Sequence, residues 1–571
     1  MPGLLSAKTT SNKQRQQHDQ HNIFVVAAVL LVMALYCYCF TFIAADLGAP
    51  KPESTLAFLG GSISHVFDED GNVGSNLVVS MTQKFISNDV ERLVLFGVIS
   101  VGFLLAYFLP LAQKQPALVV TTAVGIATLF GYQALAGLLF SHTVVYVFLH
   151  PNPIRYPWLG VFSGILCSLT LHPLADVSAT SITTFLLPVL LLAAAYRYLL
   201  PKLAAYPRLA PIVRTTVVQS AMITVCGFAL IEGLTGEQWK LPLGVLMFFW
   251  QWERIILYHV DYKDGLVPKA LSFSDYLAVF FMPACIANWR WGVTIGQGYH
   301  YSSSTFLCEN KNKIVLSGVN ILLIALLYLV FSDWVRYGLI DWFERAGIPV
   351  YQASTRHLVE AFMSGYTVST SSVLVTTLLD LVRWLMLWGS VVHFKVGIWR
   401  ICGYRMDPYF DKPWLATNLV SFWARFTFHY REFLVRAFYY PVFFRFFRTK
   451  PVLRIFAATM ASACLGNMIW GHVSEEMFYR GMEYQNFGRV FDSWFYFVLL
   501  GLGITLTELF LLRFKRKRKP WSLDRFFFLD LLAAYCTVQF YALIIIFARP
   551  TEHSSVGDLA ALFLLGFGIR L

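Results

Sequence analysis

Apolar runs of about 20 residues, long enough to cross a hydrocarbon core of roughly 30 Å as a helix, recur along this chain from Phe24 almost to its C-terminus. They occupy 24–45, 94–113, 117–139, 182–200, 212–231, 314–332, 373–394, 455–472, 494–512 and 526–548. The stretches 140–149, 157–171, 241–258, 273–287, 414–447 and 556–569 are apolar but short or interrupted by polar residues, the pattern of re-entrant and interfacial segments. No polar module, low-complexity linker or internal repeat divides the chain. The expected fold is all-α, a polytopic membrane protein with about 11–14 embedded helices. Composition agrees: 57% of residues are hydrophobic and 14% charged, against about 25% charged in a soluble domain.

The formal charge of +12 is read as a topology signal, not as a nucleic-acid footprint, because positive charge collects on the cytoplasmic side of membrane proteins. Residues 46–92 carry Asp46, Glu53, Asp68, Glu69, Asp70, Asp89 and Glu91 against Lys51, Lys84 and Arg92, so this loop is expected outside. The basic tail 1–23 and the run Arg513, Lys515, Arg516, Lys517, Arg518 and Lys519 are expected in the cytoplasm, as is the cluster Arg197, Lys202, Arg208 and Arg214. A cysteine introduced at Gly71 should react with an impermeant thiol reagent on intact cells. Reaction only after permeabilisation would reverse the orientation.

Nine cysteines are scattered, most of them inside apolar runs, without a CxxC pair or metal-ligand spacing, so no metal is expected. Residues 24–45 lack a clear small-residue cleavage site and read as a retained first helix. The chain has no Asn-x-Ser/Thr sequon, which favours a bacterial or otherwise unglycosylated setting. P-loop, GxGxxG, HExxH and GxSxG patterns are missing, which argues against a dedicated nucleotide domain. Asp68-Glu69-Asp70 begins a calcium-like turn, but its Gly comes too early and the distal Glu is missing.

Chemistry concentrates between 395 and 454, where 11 Lys and Arg face Asp407, Asp411 and Glu432. Within 421–448 there are 13 aromatics, and Arg425, His429, Glu432 and Arg436 recur at spacings that share one helical face. Charged groups in a bilayer must pair or meet water, so this stripe should line a polar cavity or lie at the interface. A second cluster is Gly466-Asn467-Met468-Ile469-Trp470-Gly471-His472, followed by Glu475 and Glu476 at i+3 and i+4 from the His.

The segment 389–423, GSVVHFKVGIWRICGYRMDPYFDKPWLATNLVSFW, resembles the central signature of the membrane-bound O-acyltransferase family. The resemblance rests on Gly397, Gly403-Tyr404-Arg405, Phe410, Lys412-Pro413-Trp414, Leu415-Ala416-Thr417 and Phe422-Trp423. Upstream, SFSDYLAVFFMP at 272–283 is similar to the family's aromatic-aromatic-Pro helix, and Trp470-Gly471-His472 falls about where the family keeps Trp-His-Gly. The match covers roughly 240–512 and divides the chain into a basic tail (1–23), N-terminal transmembrane helices with the external loop (24–239), the family-like core (240–512), and a basic cytoplasmic loop with C-terminal helices (513–571).

The resemblance implies a ring of tilted helices around a funnel or tunnel, in which an acyl group passes from a thioester to a hydroxyl. The family includes membrane proteins of alginate O-acetylation and teichoic acid D-alanylation. The donor would be acyl-CoA or an acyl carrier protein, used as co-substrate with no bound cofactor. A basic field would attract either. The acceptor would be a cell-envelope polysaccharide or lipid, and such systems can include an envelope-side partner protein. Localisation would be the bacterial inner membrane, with the lipid bilayer as partner and no nucleic acid. The family His becomes the general base that takes the hydroxyl proton. Aligned without a gap it falls on Gly471, so His472 is displaced by one residue, about 100° on an ideal helix. The catalytic candidates are His472, oriented by Glu475 or Glu476, with His429 or Thr427 assisting. Arg425, Arg436, Glu432, Trp423, Trp470 and Asn467 are the substrate-binding candidates.

Two other classes fit parts of the sequence. The displaced His suits an inactive transporter or assembly scaffold, and Asp68-Glu69-Asp70 suits a glycosyltransferase that uses polyprenyl-phosphate sugars.

Overall fold

The computed structural model describes residues 22–36, 89–130, 253–268, 271–281, 311–468, 493–514, 526–551 and 554–570, with Leu135, Leu139, His142, Tyr146 and Trp521. Their regular structure is helical, and no strand occurs among them. The helices that carry the architecture are α1 (Asn22–Tyr36), α2 (Asp89–Phe108), α3 (Leu111–Phe130), α4 (Glu253–Lys263), α5 (Phe273–Phe280), α6 (Lys311–Trp334), α7 (Thr370–Ile401), α8 (Leu419–Phe426), α9 (Phe428–Leu434), α10 (Tyr440–Arg445), α11 (Pro451–Thr459), α12 (Trp494–Phe514), α13 (Phe527–Ile544) and α14 (Val556–Leu565).

Four stretches among the described residues are long and apolar enough to cross a membrane: Lys311–Ser332, Thr370–Ile401, Trp494–Phe514 and Phe527–Ala548. They coincide within a few residues with four of the apolar runs. Another run needs correction, because 94–113 is not one helix. α2 ends at Phe108 and α3 begins at Leu111, with the break at Leu109-Pro110. Proline has no N–H to continue the ladder and its ring clashes with the preceding turn. The Pro110 carbonyl instead accepts from the Gln113 and Lys114 N–H groups of the new helix. Runs 182–200 and 212–231, and residues 46–88 of the expected loop with Asp68-Glu69-Asp70, lie outside the described residues, whereas Asp89, Glu91 and Arg92 of that loop instead begin α2.

Among the described residues the most extensive helix pair is α6 against α7, and glycines bring the two close. A Cβ on Gly397 would sit 2.6 Å from the Leu322 side chain, and one on Gly318 would sit 2.9 Å from the Gly397 carbonyl. Small residues let helix backbones approach where lipid supplies little hydrophobic drive. Gly397→Leu should therefore lower the melting temperature in detergent, since forcing extra carbons into a packed contact costs about 1–3 kcal/mol. Gly97→Ala on α2, where a Cβ meets nothing within 4 Å, should leave it unchanged or raised.

A buried guanidinium fastens α4 and α5 to the end of α7. Arg254 is 0% exposed, donates to the Val279 carbonyl, and stands 4.8 Å from the Trp399 ring centroid and 5.7 Å from that of Phe280. Ring faces and a carbonyl offset part of the cost of burying that cation. Beside it, His142, Tyr146, Tyr258, Phe273 and Phe280 pack around Tyr276 of α5, within the region of the aromatic-rich segment 272–283.

Candidate functional site

The segment 389–423 folds as a helix, a sharp stop, a partly buried loop and a second helix. α7 stops at Cys402 because Gly403 takes φ +100°, a left-handed conformation that costs glycine little. The Gly403 N–H then donates to Arg400 O and the Tyr404 N–H to Trp399 O, both at 3.0 Å, and the Tyr404 and Trp399 rings meet at 5.2 Å. Arg400 holds the loop that follows, donating to the Met406 carbonyl at 2.9 and 2.7 Å and to Ser317 Oγ at 3.3 Å. Lys412, also left-handed, turns the chain into the 3-10 turn Pro413–Leu415. Asn418 then caps α8, its side chain accepting from the Ser421 N–H at 2.8 Å.

This loop lies against the junction of α8 and α9. Thr427 (φ −138°, ψ 61°) ends α8, and backbone hydrogen bonding at the junction turns toward the loop. Phe428 N–H donates to Tyr409 O at 3.0 Å, and Asp411 N–H to Arg425 O at 2.7 Å. His429, 0% exposed, donates Nε2–H to the Asp407 carbonyl at 3.0 Å and packs its ring against Tyr409 at 5.2 Å. That bond leaves Nδ1 as the ring's acceptor nitrogen. Burial pushes the imidazole down to about 3, with the Asp407 carbonyl opposing, so His429 is neutral at ordinary pH.

Arg425, His429, Glu432 and Arg436 do not ride on one uninterrupted helix face. Thr427 separates Arg425 from the rest, and a π turn at Val435–Tyr439 carries Arg436. Arg425 is partly exposed and turns to the loop, 3.7 Å from the Asp411 carboxylate. Arg436 reaches α4 instead, donating to the buried Asp261 at 2.6 Å and to Asp264 at 3.3 Å. Glu432 lies in the field of that group. Burial raises its carboxyl above the usual range, Arg436 and Arg431 oppose the rise, and Asp261 and Asp407 add to it. Glu432 Oε2 and Thr427 Oγ1 are buried without a hydrogen-bond partner among the described residues. Unanswered buried oxygens of this kind are where polar atoms of a ligand or water are accommodated.

Two further candidates are tied to the same region. Asn467, 7% exposed, follows the π turn Met460–Gly466 and accepts from the Tyr430 hydroxyl at 2.9 Å. Trp423 is half-buried and its ring lies 6.0 Å from that of Tyr541 on α13. Trp470, His472, Glu475 and Glu476 lie outside the described residues.

Sequence reading missed several residues here. Asp261 and Asp264 sit on and just after a separate helix about 170 positions upstream, with no local signal linking them to Arg436. His393 of α7 packs on Tyr328 at 5.1 Å and on Phe410 at 5.8 Å; an imidazole inside an apolar run was the available signal. Glu508 of α12, bonded to Thr459 Oγ1 at 2.9 Å, carried the same signal. Among the described residues no three His, Cys, Asp or Glu side chains gather to hold a metal ion.

The His429 environment has a pH consequence. The unfolded imidazole protonates near 6.5 and the folded one only about 3, so acid favours the unfolded chain. The contribution is complete above about 6.5 and is lost as pH falls toward the folded value, at up to about 1.4 kcal/mol per pH unit. His429→Gln should flatten the melting-temperature decline between about pH 6.5 and 4. An unchanged decline would assign it to other groups.

Comparison of the sequence with protein-family models and with curated proteins finds no match.

Proposed function

We propose that this chain is a membrane O-acyltransferase that moves an acyl group from a thioester, acyl-CoA or acyl carrier protein, to a hydroxyl of a cell-envelope polymer or lipid. The observation that carries the reading is the behaviour of 389–423, several of whose signature-like positions hold part of one folded unit. Gly397 sits at the α6–α7 crossing, Gly403-Tyr404 at the stop of α7, Lys412-Pro413-Trp414 at the turn, and Phe422-Trp423 on the helix packed against Tyr541. That unit lies beside the buried polar group of Glu432, Arg436 and Asp261, which supports the reading.

In this reading the chain forms a family-like ring of about 11–14 embedded helices around a funnel in a bacterial inner membrane. His472 is the general base and Thr427 a neighbouring polar group. His429, neutral and bonded to the Asp407 carbonyl, fixes the loop and can accept a proton only through Nδ1. Arg436, Arg425 and Glu432 attract or orient the donor. The test is transfer of a radiolabelled acyl group from either thioester in membranes that contain the chain. The offset of His472 favours one alternative, an inactive transporter or scaffold, and well-folded protein that transfers from neither donor selects it.

A further inference from the structure

α11 and α12 run antiparallel. Cys464 and Met460 meet Gly501, while Thr459, earlier in the chain, bonds Glu508, later in it. The start of α11 therefore lies at the end of the pair that carries Arg513. Between the two helices is a groove of about 710 Å³ whose walls are almost wholly apolar, formed by Val452, Leu453, Phe456, Leu502 and Leu506, with Lys450 at its mouth. Leu506 and Val452 are 66% and 60% exposed, so the groove opens sideways.

The mouth is basic. Arg448 and Lys450 stand exposed on the turn before α11, which Phe447 (φ +51°) reverses and the Lys450 N–H to Phe447 O bond closes. Arg454 lies one turn further but about 200° around α11 from Val452 and Phe456, stacked 4.2 Å from the Phe443 ring and away from the groove. Arg448, Lys450, Arg454 and Arg513 make no ion pair among the described residues. Glu508, the carboxylate of α12, is engaged by Thr459 deeper in the helix pair. Phe444, Phe446 and Phe447 are exposed beside the cations, and aromatic and basic residues together mark headgroup depth.

An apolar slot that opens laterally and ends in cations without carboxylate partners among the described residues is complementary to one molecule of the bilayer. We propose that it seats an acyl chain of an anionic phospholipid whose phosphate is held by Arg448 and Lys450. A zwitterionic lipid could fill the same slot but would bring no net charge to the mouth. Each basic side chain near an anionic surface contributes roughly a fivefold preference.

Native mass spectrometry of the full chain in detergent, titrated with phosphatidylglycerol or phosphatidylcholine, tests this. The wild type should bind one phosphatidylglycerol in preference to phosphatidylcholine. Arg448→Gln/Lys450→Gln should lose that preference by at least about tenfold. Leu506→Trp, which fills the groove on an exposed face and leaves the charges, should weaken phosphatidylglycerol binding, and it decides the matter if the double variant does not fold. Unchanged preference in the folded double variant, or unchanged binding in Leu506→Trp, overturns the site. Displacement of the lipid by inorganic phosphate would also overturn it, leaving only an anion site.

Discussion

Replacing His472 by alanine should lower acyl transfer by about 10² to 10⁴, the usual consequence of removing a general base, while the protein keeps its yield and melting temperature. A hydroxyl is a poor nucleophile at neutral pH, and an imidazole of ordinary pKa near 6.5 is the side chain best suited to take its proton during attack on a thioester. His429 is poorly suited to the same work, because burial depresses it to about 3 and its Nε2–H is committed to a carbonyl. His472→Gln keeps much of the side-chain volume but cannot act as the base, so matching losses in both variants assign the effect to chemistry. If His472→Ala transfers at the wild-type rate, His429 becomes the leading base. If neither residue matters, the transporter or scaffold reading replaces the enzyme.

Arg436→Met should be the most destabilising single change in the region, by about 3–5 kcal/mol. Asp261 is 0% exposed and lies 2.6 Å from the Arg436 guanidinium. Without that cation its carboxylate remains in a poorly polarisable interior. The companion variant Asp261→Asn/Arg436→Met removes both charges and should recover much of the loss, since the charge left behind, more than the pair itself, sets the penalty. Arg356→Ala is the contrast: its partner Glu360 is one helical turn away and both side chains are more than 40% exposed, so its loss should stay within about 0.5 kcal/mol. Thermal melts in one detergent compare all three. Similar shifts for Arg436→Met and Arg356→Ala would show that the buried pair is not a structural tie.

What the sequence disclosed follows from how local each property is. The runs at 314–332, 373–394, 494–512 and 526–548 were legible because length and apolarity are one-dimensional, and the helices match them. The turns at Gly403 and Pro413 follow from intrinsic backbone preferences, although the sequence reading used both residues only for the resemblance. The break at Thr427 gave no such notice, since it has neither Gly nor Pro, and Phe428 finds its acceptor in the loop at Tyr409. The π turns at 435–439 and 460–466 add a residue to the helical period, so a reading at ordinary spacing set Arg436 on a face it does not share with Arg425. The partner of Arg436 depends on which distant helix packs there, and single-sequence spacing carries no information about that.

The loop 402–418 is held from the far end of the chain. Trp521 Nε1–H donates to Leu415 O at 2.9 Å, and Tyr541 packs on Phe422 at 4.6 Å. These contacts are made by residues synthesised more than 100 positions after the loop, so a ribosome has released the loop well before these supports exist. During translation the loop has its Arg400 and Trp399 contacts but must wait for this second set of supports until α13 inserts. Biogenesis is thus gated at a late step, and a nonsense codon near position 520 would damage a region it leaves fully encoded.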